Sequence, residues 1–227
     1  MSEGIYDSLN CAYGTGDDEK NVDENYRIIA RALGANAYCK AHQIHSNRVV
    51  TATAPWKREQ APQADAIVTC VPHLMIGITT ADCLPILLAD TTQPIIGAAH
   101  AGWKGAVTGV IEATVDAMRA LGARNLAAAI GPAISQQSYE VGPEFYERFI
   151  QESTGNTVYF APSARSGHYQ FDLKAYGKSR LQHAGVQLIN MLAHDTCLEE
   201  DAFFSYRRTV KRGESAYGCQ LSAIMIG

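Results

Sequence analysis

The chain has little excess of charge of either sign: 19 Lys and Arg stand against 23 Asp and Glu, a net of −4 over 227 residues. So mild an acidity argues against a nucleic-acid binder, whose affinity comes from neutralising phosphates with clustered cations. Long apolar runs are missing as well. The longest stretch without a formal charge, Ala66 to Ala81, is interrupted by Pro72 and His73 and is too short for a transmembrane helix. At Met1-Ser2-Glu3-Gly4 no basic region leads into an apolar one. No secretory signal is therefore visible, and a cytoplasmic location is expected. The cysteines, at positions 11, 39, 70, 83, 197 and 219, form no Cys-x-x-Cys pair and no dense framework. Free thiols, most of them small buried hydrophobes, are the expectation.

What is present is core material. Hydrophobic residues make up 47% of the chain and charged residues 19%, which excludes a disordered protein. There is no internal repeat, low-complexity tract or linker, so residues 1–227 read as a single domain. A helix is predicted from Val22 to Leu33, with Asn21 and Glu24 as its capping box. Apolar runs at Asp65–Cys70, Leu74–Thr79, Pro85–Ala89 and Pro94–Ala99 read as buried strands. One helix is predicted over Lys104–Leu121, closed by Gly122. A strand at Leu126–Ile130 follows, then helices around Val141–Phe149 and Leu173–Ala184. Further strands are predicted at Val186–Met191, Phe203–Arg207 and Cys219–Ile226. Irregular alternation of this kind predicts a mixed α/β or α+β fold with flanking helices.

Three residues stand out by position. His45 lies in Gln43-Ile44-His45-Ser46, Cys83 immediately precedes one strand run, and His100 ends the next one. Strand ends that feed loops are where α/β proteins place reactive groups. The small residues Ala98, Ala99, Ala101 and Gly102 leave room around His100. On spacing alone, core residues are the better reading.

Eight segments occur here in order: Tyr6-Asp7-Ser8-Leu9-Asn10, Gly16-Asp17-Asp18, Gln43-Ile44-His45, Ala64-Asp65-Ala66, Thr80-Ala81-Asp82-Cys83-Leu84-Pro85, His100-Ala101-Gly102-Trp103-Lys104-Gly105, Ile130-Gly131-Pro132 and Tyr139-Glu140-Val141. Together they resemble the YfiH-type laccase-domain family, long labelled multicopper polyphenol oxidoreductases. Similar proteins are described as zinc-dependent purine nucleoside phosphorylases, with a fold likened to deamidase toxins. The resemblance implies His45, Cys83 and His100 as metal ligands. Two imidazoles and a thiolate leave a fourth tetrahedral position open, the pattern of a catalytic zinc site; the family label admits copper as well. Asp82 beside Cys83 is a candidate proton acceptor or ligand-orienting group, or else a turn carboxylate bonded to backbone. Catalytic roles are thus assigned to Cys83, Asp82 and His100. Substrate binding is assigned to Lys104, Arg48 and Trp103, with Arg207, Arg208 and Tyr139 as further candidates. The implied partners are a purine nucleoside and phosphate, with no nucleic acid and no membrane; oligomeric state stays open.

Two departures from the family pattern bear on activity. Similar proteins carry a further strand and an Arg-Gly-Gly segment ahead of the Tyr-x-Ser-Leu-Asn motif. Near the C-terminus they read Gly-Arg-Gln where this chain reads Gly218-Cys219-Gln220. Lys104 also stands where arginine is commoner, keeping the charge but losing the two-pronged fork. Four readings follow as alternatives. The first is phosphorolysis of adenosine, inosine or methylthioadenosine, with adenosine deamination as a side reaction. The second is amide hydrolysis on peptidoglycan precursors with Cys83 as nucleophile and His100 as base. The third is copper-dependent polyphenol oxidation, disfavoured because seven histidines include no His-x-His pair. The last is a binding protein that has lost catalysis.

Overall fold

The computed structural model describes residues 1–227. In chain order the elements are α1 (Glu19–Leu33), β1 (Ala37–Cys39), β2 (Val49–Ala52), β3 (Ala66–Thr69), β4 (Leu74–Thr80), β5 (Leu84–Asp90), β6 (Ile96–Ala101), α2 (Trp103–Thr108), α3 (Val110–Ala120), β7 (Leu126–Ile130), β8 (Glu140–Val141), α4 (Pro143–Glu152), β9 (Phe160–Pro162), β10 (Tyr169–Phe171), α5 (Leu173–His183), β11 (Leu188–Met191), α6 (Tyr206–Arg212) and β12 (Gln220–Ile224). This is the mixed α/β architecture that the sequence predicts.

The central sheet has six strands in the order β11-β7-β5-β6-β3-β2. Its interior pairs are antiparallel and its two outer pairs parallel. Both faces are covered, which is why β3 and β6 are buried along their whole length instead of alternating. One face, with Ala66, Val68, Ala99 and Ala101, packs against α3 and α5 in the main core. The other face, with Ile67, Ile96 and Ala98, packs against Leu74, Ile76 and Ile78 of β4. β4 is the middle of a three-stranded sheet, β1-β4-β12. The outer face of that sheet receives α1 through Val22 and Tyr26 against Tyr38 and Leu221. A small antiparallel sheet, β8-β10-β9, stands at one side.

Several predicted elements differ from the observed ones. Helix α1 begins at Glu19, and its cap is Asp18, whose carboxylate accepts from Lys20 N at 2.9 Å; Asn21 lies inside the first turn. The single helix over Lys104–Leu121 is two helices, because Gly109 at φ +94° ends α2 and starts α3. Val107, Val110 and Ile111 keep helical spacing across that break, so periodicity does not register it. Phe203–Arg207 is not a strand: Ser205 accepts from Arg208 N at 3.1 Å and caps α6. The strands β1, β2, β8, β9 and β10 lie outside the predicted set, being two to four residues long with little continuous apolar sequence.

An alanine at position 109 meets only ordinary contacts, Glu112 Oε2 at 3.6 Å being the nearest, so its cost is the left-handed backbone itself. That cost is about 1–2 kcal/mol. Gly109→Ala should therefore lower the thermal midpoint by about 2–8 °C without changing metal content, read by calorimetry and elemental analysis.

Candidate metal centre

Two loops and a strand end converge at one end of the central sheet. Cys83 lies in the turn between β4 and β5, and His100 sits on β6 opposite Pro85 of β5. His45 comes from the β1–β2 connection in a left-handed conformation, φ +57°. One ligand atom from each of His45, Cys83 and His100 lies within 4.8 Å of the other two. The two imidazole rings stand edge to face, centroids 4.8 Å apart. Gly102 keeps the space between Cys83 and His45 open. A Cβ there would come within 3.0 Å of both Cys83 Sγ and His45 Cδ2.

Electrostatics suit a cation-binding thiolate. Burial alone would raise the Cys83 thiol, but the facing His100 and His45 imidazoles overcome it and bring it below its ordinary value. Burial likewise opposes a charge on His100, and the Cys83 sulfur and the Asp65 carboxylate raise it instead. Donor set, spacing and the cradle left by Gly102 fit a metal ion held by two imidazoles and a thiolate.

Asp65 organises this arrangement; the sequence marks it only as part of the Ala64-Asp65-Ala66 segment and as a carboxylate set into an apolar run, Ala64-Asp65-Ala66-Ile67-Val68, with no role attached. It is fully buried. Its Oδ1 accepts from His100 Nδ1 and His45 N, both at 2.9 Å. Its Oδ2 accepts from Ser46 N at 2.6 Å, Ser46 Oγ at 2.8 Å and Ile44 N at 3.2 Å. One carboxylate thus turns the His100 ring so that Nε2 faces Cys83, and also closes the loop carrying His45. Burial raises its pKa, but the bonds from His100 and Ser46 outweigh that and bring it down to about 2. Stability from its ionisation is complete above the ordinary value near 3.8 and is lost as pH falls towards 2.

The remaining candidates divide. Asp82, at φ +84°, accepts from Thr196 Oγ1 at 2.7 Å and from Arg207 N at 2.6 Å. Both oxygens are engaged with backbone and hydroxyl donors, the arrangement of a brace rather than of a free proton acceptor. Lys104, Trp103, Tyr139 and Arg207 line the cavity above the three ligands, about 790 Å³ in volume. Trp103 packs on Phe145 at 4.9 Å, and the Arg207 guanidinium lies 5.3 Å from the Tyr139 ring centroid. Arg48 does not line this cavity. Its side chain is exposed, and its carbonyl accepts from Asp65 N at 2.9 Å. Arg208 is also elsewhere, its guanidinium donating to the carbonyls of Thr196, Cys197 and Phe203. Lys211 and Tyr206 of α6 line the cavity although the sequence does not single them out. The expected strand over 203–207 conceals the helix that brings them there. Cys219 stands behind the centre just before β12; burial pushes its thiol up to about 12, with the Cys83 sulfur adding to the effect.

The sequence pattern described as multi-copper polyphenol oxidoreductase laccase matches residues 1–227, and the chain belongs to that family. A Rickettsia conorii protein named purine nucleoside phosphorylase is 37% identical over 209 residues, covering 92% of this chain and 86% of its own. A Deinococcus radiodurans protein of the same name is 39% identical over 214 residues, 92% of this chain and 79% of its own. Among solved structures, a Neisseria meningitidis protein superposes with a TM-score of 0.88 at 34% identity, covering all of this chain and 90% of its own. The Bacillus licheniformis hypothetical protein YfiH gives 0.88 at 29% identity, covering all of this chain and 88% of its own.

Asp65→Asn keeps the shape but removes the charge that raises the basicity of His100. Metal affinity should fall about 10–100-fold, measured by competition with a chromophoric chelator. Unchanged affinity would show that the loop holds its ligands without the carboxylate.

Proposed function

We propose that this chain is a zinc-dependent purine nucleoside phosphorylase, taking adenosine or inosine, and methylthioadenosine as a variant, to free base and ribose 1-phosphate. The carrying observation is that His45 and Cys83, with buried His100 grouped against them, open onto one cavity that Trp103, Tyr139 and Phe145 line beside Lys104, Arg207 and Lys211. Aromatic walls suit a purine, and cations suit phosphate. The names of the Rickettsia and Deinococcus relatives support the same reading. His45, Cys83 and His100 would hold the zinc, which supplies Lewis-acid polarisation and lowers the pKa of water. That second capacity accounts for adenosine deamination as a side activity.

In phosphorolysis the bond between the base nitrogen and C1′ breaks as a phosphate oxygen bonds to C1′. The protein's part is to hold that dianion against C1′ and exclude water. Arg207 is anchored at the cavity wall, because its N–H donates to Asp82 and its guanidinium to the Glu140 carbonyl at 2.8 Å. Lys104 of α2 and Lys211 of α6 add charge to the same cavity. Each charge-assisted bond is worth about 1.5–3 kcal/mol.

One observation favours a second reading. Asp65, His100 and Cys83 stand in the order of a carboxylate–imidazole–thiol relay, the arrangement of a cysteine amide hydrolase. Metal content and chemistry separate the two. Metal-loaded protein with adenosine and phosphate should release adenine and ribose 1-phosphate, and Cys83→Ala should lose zinc and turnover together. A variant that retains zinc but not activity supports the nucleophile. Bound copper would overturn the choice of zinc, and absence of any turnover would leave a binding protein.

A further inference from the structure

A second cavity lies on the opposite side of the β1-β4-β12 sheet, between α1 and β1. It encloses about 800 Å³ and shares no lining residue with the metal centre. Tyr13, Tyr26 and Tyr38 stack beneath it as a parallel ladder, centroids 5.9 and 4.9 Å apart. Trp56 forms another wall, held by donation from Nε1 to the Lys40 carbonyl at 2.9 Å. Five basic residues line the cavity against three acidic ones, in a chain whose net charge is −4.

Most of these cations are already neutralised. Arg27 and Arg31 both pair with Glu24, and Arg58 pairs with Glu19 at 2.8 Å. Lys40 is different. Its half-buried ammonium meets no carboxylate and donates no hydrogen bond; its neighbours are the faces of Tyr13 and Tyr26, at 4.6 and 5.4 Å, the thiols of Cys11 and Cys219, both held protonated by burial, and the Arg58 guanidinium on Tyr13. Burial accordingly lowers its pKa to about 8. A desolvated ammonium beside a second cation, facing an open cavity with aromatic walls, is a place where an anion is missing.

We propose that this cavity is a second binding site, for a small phosphate-bearing ligand with a planar ring, of the nucleoside monophosphate class. The phosphate meets Lys40 and draws the Arg58 guanidinium from its exposed pair with Glu19, and the ring lies against Trp56 and Tyr38. The volume is within the usual range for small-molecule sites. Neither the metal nor the proposed phosphorolysis is required for such binding.

The test uses AMP as the probe and Trp56 as the reporter. The chain has two tryptophans, so Trp103→Phe leaves Trp56 alone to be read by fluorescence. AMP should change its emission saturably, with adenosine and inorganic phosphate each binding at least tenfold more weakly. Lys40→Met and Arg58→Gln should each weaken AMP binding about tenfold or more, with thermal midpoint and metal content unchanged. Arg58 is exposed, so its variant folds even if Lys40→Met does not. AMP binding unaffected by Arg58→Gln, or no saturable change at Trp56, would overturn the proposal. So would equal binding of adenosine, which would leave an apolar groove without an anion site.

Discussion

The Asp65 carboxylate accepts from an imidazole, a hydroxyl and three consecutive backbone N–H groups at positions 44–46. Its own backbone takes part as well, since His100 N donates to Asp65 O at 2.7 Å and Asp65 N donates to the Arg48 carbonyl. Strand β6 and the β1–β2 connection, remote in sequence, are thereby tied to one residue at the start of β3. A buried charge is costly unless its lone pairs are filled, and here the groups that fill them carry two of the three candidate ligands. Satisfying that one charge therefore sets the ring of one histidine and the loop of the other.

Asp82 repeats the device one layer out. By accepting from Thr196 and from the first turn of α6, it connects the Cys83 turn to the helix that roofs the cavity. Its left-handed backbone is uncommon for a residue other than glycine and persists because both oxygens are anchored. Arg207 continues the chain of contacts to Tyr139 and Glu140. Groups that line the cavity and groups of the candidate metal centre are thus joined through Asp82 and Arg207.

The motifs are legible in the sequence because their chemistry is local. A thiol before a strand, a histidine at the end of the next one and glycine beside it predict a reactive strand end, and the structure brings these residues together with His45. Buried strands are legible for a similar reason: β3 to β6 are covered on both sides or nearly so, and such strands must be written in continuous apolar residues. Elements at the periphery carry no such imprint. Strands of three residues are held by pairing rather than by composition, and α6 owes its start to the cap from Ser205.

Sequence alone determined the family, the central strands and the identities of the three convergent side chains. Tertiary structure decided what surrounds them. Arg48 and Lys104 are indistinguishable as cations in a string of residues, yet one projects to solvent and the other lines the cavity. Asp65 and Asp82 are both carboxylates within family motifs; one aligns the imidazoles while the other holds a helix. Residue type fixes which bonds a group can make, but partners remote in the chain determine which it does make, and those are set only when the layers pack.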